Sequence, residues 1–439
     1  MAVRWWPTQR LRRGGESTLL IKNANFSRLW GAQVLSQIAQ NLLNFALIIR
    51  VFDLAQGTRL ANVSVALVIL SFGVPSIFFA AAAGVYVDHW NRKYVLVVAN
   101  ILRAILVLGY LFIENNLALV LLLSFLISSI TQFFAPAEAA SIPALVGKQH
   151  LLRANSLFIF TMYASFMVGY ASSAPVIAIF GSNGPYYLTS IMFLLATVLV
   201  FALPSMKSRS RRTVKFWSIV KTTRREVTQN WKIIRANHKL SFPILQLTIT
   251  QAIVGVILAL APALSLAVLK TPIQNASHVL IIPAGLGMIL GVIAVGKLAT
   301  KYPKVGLISV SLIIAATSLM LLGMSGLLHR SIEGHVATMS QIGGYIAILL
   351  VLLGFMNALV SSAAQTLLQE NTTDETRGKV FGALNMMVNI AATAPIFFAG
   401  ILADFAGVTK VVTALGLALL IFAVAQYFVL RSRGQLQTR

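Results

Sequence analysis

The stretch Gly84-Val85-Tyr86-Val87-Asp88-His89-Trp90-Asn91-Arg92-Lys93 closes one long apolar run and opens the next. A second stretch, Gly296-Lys297-Leu298-Ala299-Thr300-Lys301-Tyr302-Pro303-Lys304, stands in the same relation to its own neighbours 212 residues later. In both, a glycine and a short polar residue are four apart, and a cation follows four after that. Ala171-Ser172-Ser173-Ala174-Pro175 is likewise similar to Ala391-Ala392-Thr393-Ala394-Pro395, at an offset of 220 residues. Two matches at similar offsets, in corresponding apolar runs, indicate a duplicated unit.

The composition around these stretches sets the class. Of 439 residues, 58% are hydrophobic and 10% are Asp, Glu, Lys or Arg. A soluble chain this poor in charge would expose large apolar patches, and a disordered one would need the opposite balance. An integral membrane protein is what remains. The runs are continuous, without the alternation of a membrane β-barrel. Each is long enough for a bilayer-spanning helix, which needs about 20 apolar residues. Spans read at 29–52, 61–87, 94–113, 117–138, 154–180, 184–204, 241–269, 276–299, 304–328, 342–368, 380–403 and 407–430. The expected fold is therefore all-α, with twelve transmembrane helices in two bundles of six. The first run starts too late and runs too long for a cleaved signal peptide.

Charge gives the orientation. The formal net charge is +24, from 35 basic and 11 acidic residues. With the N-terminus inside, 29 basic residues fall on the inner side and five (Arg50, Arg59, Lys270, Arg330, Lys410) on the outer side. That asymmetry places both termini in the cytoplasm, and it accounts for the charge without nucleic acid. The expected domains are a cytoplasmic segment 1–28, a bundle 29–204, a basic linker 205–240, a second bundle 241–430 and a cytoplasmic tail 431–439. In the linker, Trp217, Val220, Val227, Trp231 and Ile234 fall near one helical face, as on a helix lying against anionic lipid.

There is no cysteine, so thiol chemistry is absent. No G-x-x-x-x-G-K-[ST] loop is present, because Leu298 follows the one stretch of that spacing, Gly291 to Lys297, so no ATPase site is expected. His329, Glu333 and His335 share a short outer loop and read as solvated residues without a metal. No enzyme constellation and no cofactor site emerges.

The segment Gly84–Lys93 resembles the loop signature of the major facilitator superfamily, with His89 where an Arg is usual and Asn91 where a Gly is usual. More closely, the chain resembles the bacterial branch of enterobactin exporters and macrolide efflux proteins. Val51-Phe52-Asp53-Leu54, Phe134-Ala135-Pro136-Ala137, Ile142-Pro143-Ala144-Leu145-Val146 and Ala154-Asn155-Ser156-Leu157 carry that likeness in the first half. Arg377-Gly378-Lys379-Val380-Phe381 and Gly400-Ile401-Leu402-Ala403-Asp404 carry it in the second. The resemblance implies alternating access, with spans one, four, seven and ten lining a central cavity. It gives Gly84, Asp88, Arg92 and Lys93 a gating role. The family's antiporter signature in the fifth span has a Gly before its Pro, where this chain has Ala174.

Spacing alone marks polar stripes on those same four spans. Gln33, Gln37, Gln40, Asn41 and Asn44 share one face of the first span. The fourth has Ser124, Ser128, Ser129, Thr131 and Gln132, the seventh Gln246, Thr250 and Gln251, and the tenth Asn357, Ser361 and Gln365. Such residues either line a cavity or bond helix to helix. Arg103, counted on neither side, lies inside the third span. Glu138 and Asp53 are candidates to carry a coupling proton, and Pro175 and Pro395 to bend their helices. The expectation is a monomeric bacterial plasma-membrane exporter of hydrophobic or amphiphilic small molecules, in contact with membrane lipids and coupled to protons. Lipid or lysolipid translocation, and a non-transporting scaffold or sensor, are the alternatives.

Overall fold

A computed structural model describes residues 22–87, 89–113, 116–147, 150–206, 238–269, 277–332, 339–371, 393–432 and 434. They form twelve helices at the twelve expected spans. In the first half these are α1 (Ala24–Ala55), α2 (Ala61–Val87), α3 (Arg92–Leu108, continued by a 3-10 turn to Phe112), α4 (Leu117–Leu145), α5 (Leu151–Phe180) and α6 (Gly184–Phe201). In the second they are α7 (His238–Leu269), α8 (Ile282–Lys301), α9 (Lys304–Ile332), α10 (Met339–Glu370), α11 (Thr393–Ala406) and α12 (Val408–Ser432). Eleven of these helices are long and apolar enough to cross a membrane, α11 is described over Thr393–Ala406 alone, and the start of α1 and the end of α12 lie toward one face. That face, which holds both ends, is called the near face below.

Local chemistry sets the ends. Asn23 caps α1, accepting from the amides of Asn25 and Phe26 at 3.2 Å. Asn91, which replaces the usual glycine of the loop signature, caps α3 through Lys93 N and also accepts from Met206 N, both at 3.2 Å. The start of α3 is thereby tied to the chain leaving α6. One expectation needs correction. The fourth span does not end at Glu138: α4 runs through Pro136 and Pro143 to Leu145. Neighbouring helices in a bundle tolerate such prolines by satisfying the freed backbone groups. Pro175 likewise lies inside a continuous α5.

The first six helices are stitched by interhelical hydrogen bonds. Ser173 donates to Leu42 O (3.1 Å), Thr189 to Ala39 O (3.3 Å), Ser190 to Ala104 O (3.1 Å) and Ser128 to Phe72 O (2.5 Å). The last six rely more on close backbone approach. A Cβ added at Gly287, Gly291 or Gly354 would strike a main-chain carbonyl of the facing helix in the α8–α10 pair. At Gly323 and Gly416 a Cβ would strike the main-chain nitrogen and Cα of Thr413 and Met320 in the α9–α12 pair. Apolar side chains gain little by leaving lipid, so small residues that let helices touch are the alternative glue.

The apolar core shows how the two groups meet. On the far face one cluster joins them, from Phe45, Val65 and Ile127 to Val256, Leu319 and Ile396. Toward the near face, the described residues form two separate clusters. One holds Leu29, Phe134 and Val200 of the first half; the other holds Ile244, Leu312 and Ala364 of the second. The halves are joined at the far face and part toward the near one.

Candidate functional site

The structure divides the polar stripe of α1. Gln37 and Asn41 are half-buried, and their amides make no hydrogen bond among the described residues. Gln40 Nε2 donates to Asn44 Oδ1 at 2.9 Å, and Thr131 Oγ1 of α4 approaches Gln40 Oε1 at 3.5 Å. Gln33 departs from the expected lining role. It is buried against α5, donating to Phe158 O (3.1 Å) and accepting from Thr161 Oγ1 (2.9 Å). One helical face is wide enough to meet both a cavity and a neighbouring helix, and Gln33 meets the helix.

The other stripes divide in the same way. Ser128 is committed to α2, whereas Gln132 is half-buried and bonds only to its own helix, at Ser128 O (3.3 Å). Gln246 is fully buried and donates to Gln426 of α12 at 3.2 Å. Thr250 is buried and back-bonded within α7. Gln246 and Thr250 are therefore packing residues of the second half, a correction to the cavity-lining expectation. Asn357 donates to Thr250 O and Ser361 to Thr250 Oγ1, both at 3.4 Å. Gln365 is half-buried and without a hydrogen bond among the described residues. Asn357 also edges a cavity of about 70 Å³ where the halves meet. Its walls include Met167 of α5, Ile253 and Ile257 of α7, Met288 of α8 and Leu353 of α10, and Asn357 is its one polar side chain. A second cavity, about 220 Å³, lies within the second half beside Pro395 and is wholly apolar in lining.

The charged groups are buried in the first half. Arg103 is enclosed, with its guanidinium between the rings of Phe134 (4.3 Å) and Phe193 (4.4 Å). It donates to Asn100 Oδ1 (2.5 Å) and to Ala99 O (3.3 Å), and Ser36 Oγ also donates to Asn100 Oδ1 (3.0 Å). Arg103 is the charged neighbour of Glu138. Glu138 is 8% exposed, and its Oε1 is buried without a hydrogen-bond partner. Asp53 is different. It is exposed at the far end of α1, its carbonyl accepting from Gln56 N (3.2 Å), and it serves as a helix-end residue outside the buried interior.

Of the loop signature, Asp88 lies outside the described residues. Gly84 has open space where a Cβ would stand. Arg92 donates to Ala140 O of α4 (2.8 Å), and Lys93 lies over the ring of Phe201 of α6 (5.0 Å). Both cations brace the first half internally. In the second half, Lys304 pairs with Glu370 at 2.6 Å, joining the near-face ends of α9 and α10. Glu333, His335 and most of the basic linker also lie outside the described residues.

The sequence reading missed one residue of consequence. Asp404, near the end of α11, crosses to the other half. Its Oδ1 accepts from Asn62 N (2.9 Å) and Asn62 Nδ2 (2.8 Å), and its Oδ2 from Val63 N (2.9 Å). The signal in the sequence is the start of α2. Leu60 occupies the capping position there, and an aliphatic side chain cannot cap.

A family model described as the Major Facilitator Superfamily matches residues 29–391. The chain belongs to that superfamily. Its members are transporters rather than enzymes, and this one is a multi-pass membrane protein. Macrolide efflux protein A of Streptococcus pyogenes is 25% identical over 393 residues, covering 87% of this chain and 90% of that one. An uncharacterized MFS-type transporter of Bacillus subtilis, YkuC, is 30% identical over 189 residues, covering 41% of this chain and 42% of that one. Among solved structures, the nucleoside transporter NupG aligns with a TM-score of 0.70 at 12% identity, covering 91% of this chain and 98% of its own. A bacterial homolog of the human lysosomal transporter Spinster, in an inward-facing and unoccupied conformation, also aligns at 0.70, with 11% identity and 92% and 96% coverage. These structures share the fold.

Proposed function

We propose that this transporter is a secondary exporter of amphiphilic small molecules, working by alternating access in a bacterial plasma membrane. The observation that carries the reading is the contrast between the half-buried amides of α1 and the apolar cavity edged by Asn357, which the reading takes as two walls of one site. The first half offers the amides of Gln37 and Asn41, without a hydrogen bond among the described residues, beside the Gln40–Asn44 pair. The second half offers Ile253, Ile257, Met288 and Leu353, relieved only by Asn357. A cargo with one hydrogen-bonding face and one apolar face fits such a site, because an apolar wall gives affinity and sparse polar groups give orientation. The likeness to macrolide efflux proteins along most of the chain favours export. The excess of basic residues on the near face supports a cytoplasmic location for both termini.

Glu138 is the coupling group in this reading. An ionisable residue inside a membrane is costly and marks a functional pathway. Arg103, held by two rings and Asn100, is a fixed cation beside it, while the carboxylate keeps an uncommitted oxygen. Inside-out vesicles holding the protein test both parts. Macrolides, dyes, siderophores and lysolipids are offered with respiration on, then with a protonophore. The reading requires concentrative uptake of at least one amphiphile that collapses with the gradient. Uptake indifferent to the protonophore would remove the coupling. In Glu138→Gln, downhill exchange is expected to persist while concentrative uptake is lost.

A further inference from the structure

The first turn of α2 presents amides that its own sequence leaves without a side-chain acceptor, because Leu60 stands at the cap. Ser64 N already bonds Leu60 O at 2.9 Å, so the helix starts there. The acceptor arrives from a residue 342 positions away, in the other half. Asp404 receives three hydrogen bonds, all at 2.8–2.9 Å, from the second and third residues of α2. A carboxylate at a helix N-terminus is favoured by the helix dipole, and charge-assisted bonds of this kind are about twice as strong as neutral ones. Around it the two halves are in close contact: a Cβ at Gly400, one turn earlier on α11, would press on Asn62 O and on Ala66.

From this geometry we infer that Asp404 is the gate residue of the far face, capping α2 from the opposite half and holding the far face shut. The contact lies where the core is continuous between the halves, and it joins groups that must separate when the far face opens. It is also suited to being broken and remade. Asp404 is only half-buried, so water replaces α2 as the partner of its carboxylate during opening. The inference rests on the alternating-access reading above, and it adds the residue that sets the balance between the two states.

The chain has no cysteine, so a labelling pair can be introduced without removing any. Arg59→Cys and Lys410→Cys stand on exposed far-face positions of opposite halves, outside the gate. Spin labels on this pair, in the full-length protein in lipid nanodiscs, report the separation of the halves. Asp404→Asn and Asp404→Ala are expected to raise the ratio of long to short distances about tenfold, the equivalent of one charge-assisted bond. Asn62→Asp, which sets two carboxylates together, is expected to open the face further. Combining Asn62→Asp with Asp404→Asn is expected to close it again, a rescue that general damage to the fold would not give. Gly400→Leu, which forces α2 and α11 apart, is the reference for an opened far face. If Gly400→Leu lengthens the distance while the Asp404 variants do not, the gate assignment is overturned and alternating access stands. If none of these variants changes the distance, alternating access falls with it.

Discussion

The two halves of this transporter descend from one repeated pattern, yet they are held together by different physics. The first half buries a cation, a carboxylate and a chain of side-chain hydrogen bonds. The second half brings backbones into contact at Gly287, Gly291 and Gly354, and its walls toward the first half are nearly all apolar. A polar contact can be exchanged for one to cargo or proton without moving a helix. A backbone contact at a glycine cannot be exchanged at all. Under the proposed function, recognition and coupling fall to the first half, and a stiff apolar counter-surface to the second.

The largest test removes the centre of the first half. Arg103→Leu leaves Glu138 buried without its charged neighbour and is expected to cost about 3 kcal/mol or more, read as a fall in thermal unfolding temperature in detergent. Adding Glu138→Gln should recover part of that loss. Full additivity of the two would mean that they do not interact. Next is the second half's backbone contact. Gly354→Leu drives a side chain into Ala284 O and should cost about 3 kcal/mol, seen as loss of monodisperse protein. If this variant is as stable as the parent, stiffness is not the second half's role.

Two smaller effects divide the α1 stripe. Gln37→Leu with Asn41→Leu is expected to weaken apparent cargo affinity by about tenfold, with stability unchanged. Unchanged concentration dependence for every transported compound would return these amides to mere packing. Gln33→Leu should do the reverse, costing about 1 kcal/mol of stability while leaving cargo selectivity intact. A changed selectivity profile would move Gln33 to the cavity.

This last pair shows what was legible in the sequence. Hydropathy is a property of composition, so the spans could be placed, although α4 runs on to Leu145, past the expected end at 138. Helical spacing showed that Gln33, Gln37 and Asn41 share a face. It could not show that the near-face end of that stripe would meet Thr161 of α5, since the choice between helix and cavity depends on a partner far along the chain. The same holds for Gln246, whose partner Gln426 lies 180 residues on. Asp404 was harder still. Two of its three donors are main-chain amides, which leave no letter in the sequence, and the clues were the family-like stretch ending at Asp404 and an uncapped helix start at Leu60.

That borrowed cap has a bearing on how the protein is made. At roughly 5–20 residues per second, the ribosome needs roughly 20–70 s to travel from Asn62 to Asp404. Throughout that interval the start of α2 is already synthesised and has no acceptor for its first amides. The first six helices made alone would keep a frayed α2 start, and hydrogen exchange there would slow only when the last helices are supplied. Completion of the second half is thus also the final folding step of the first.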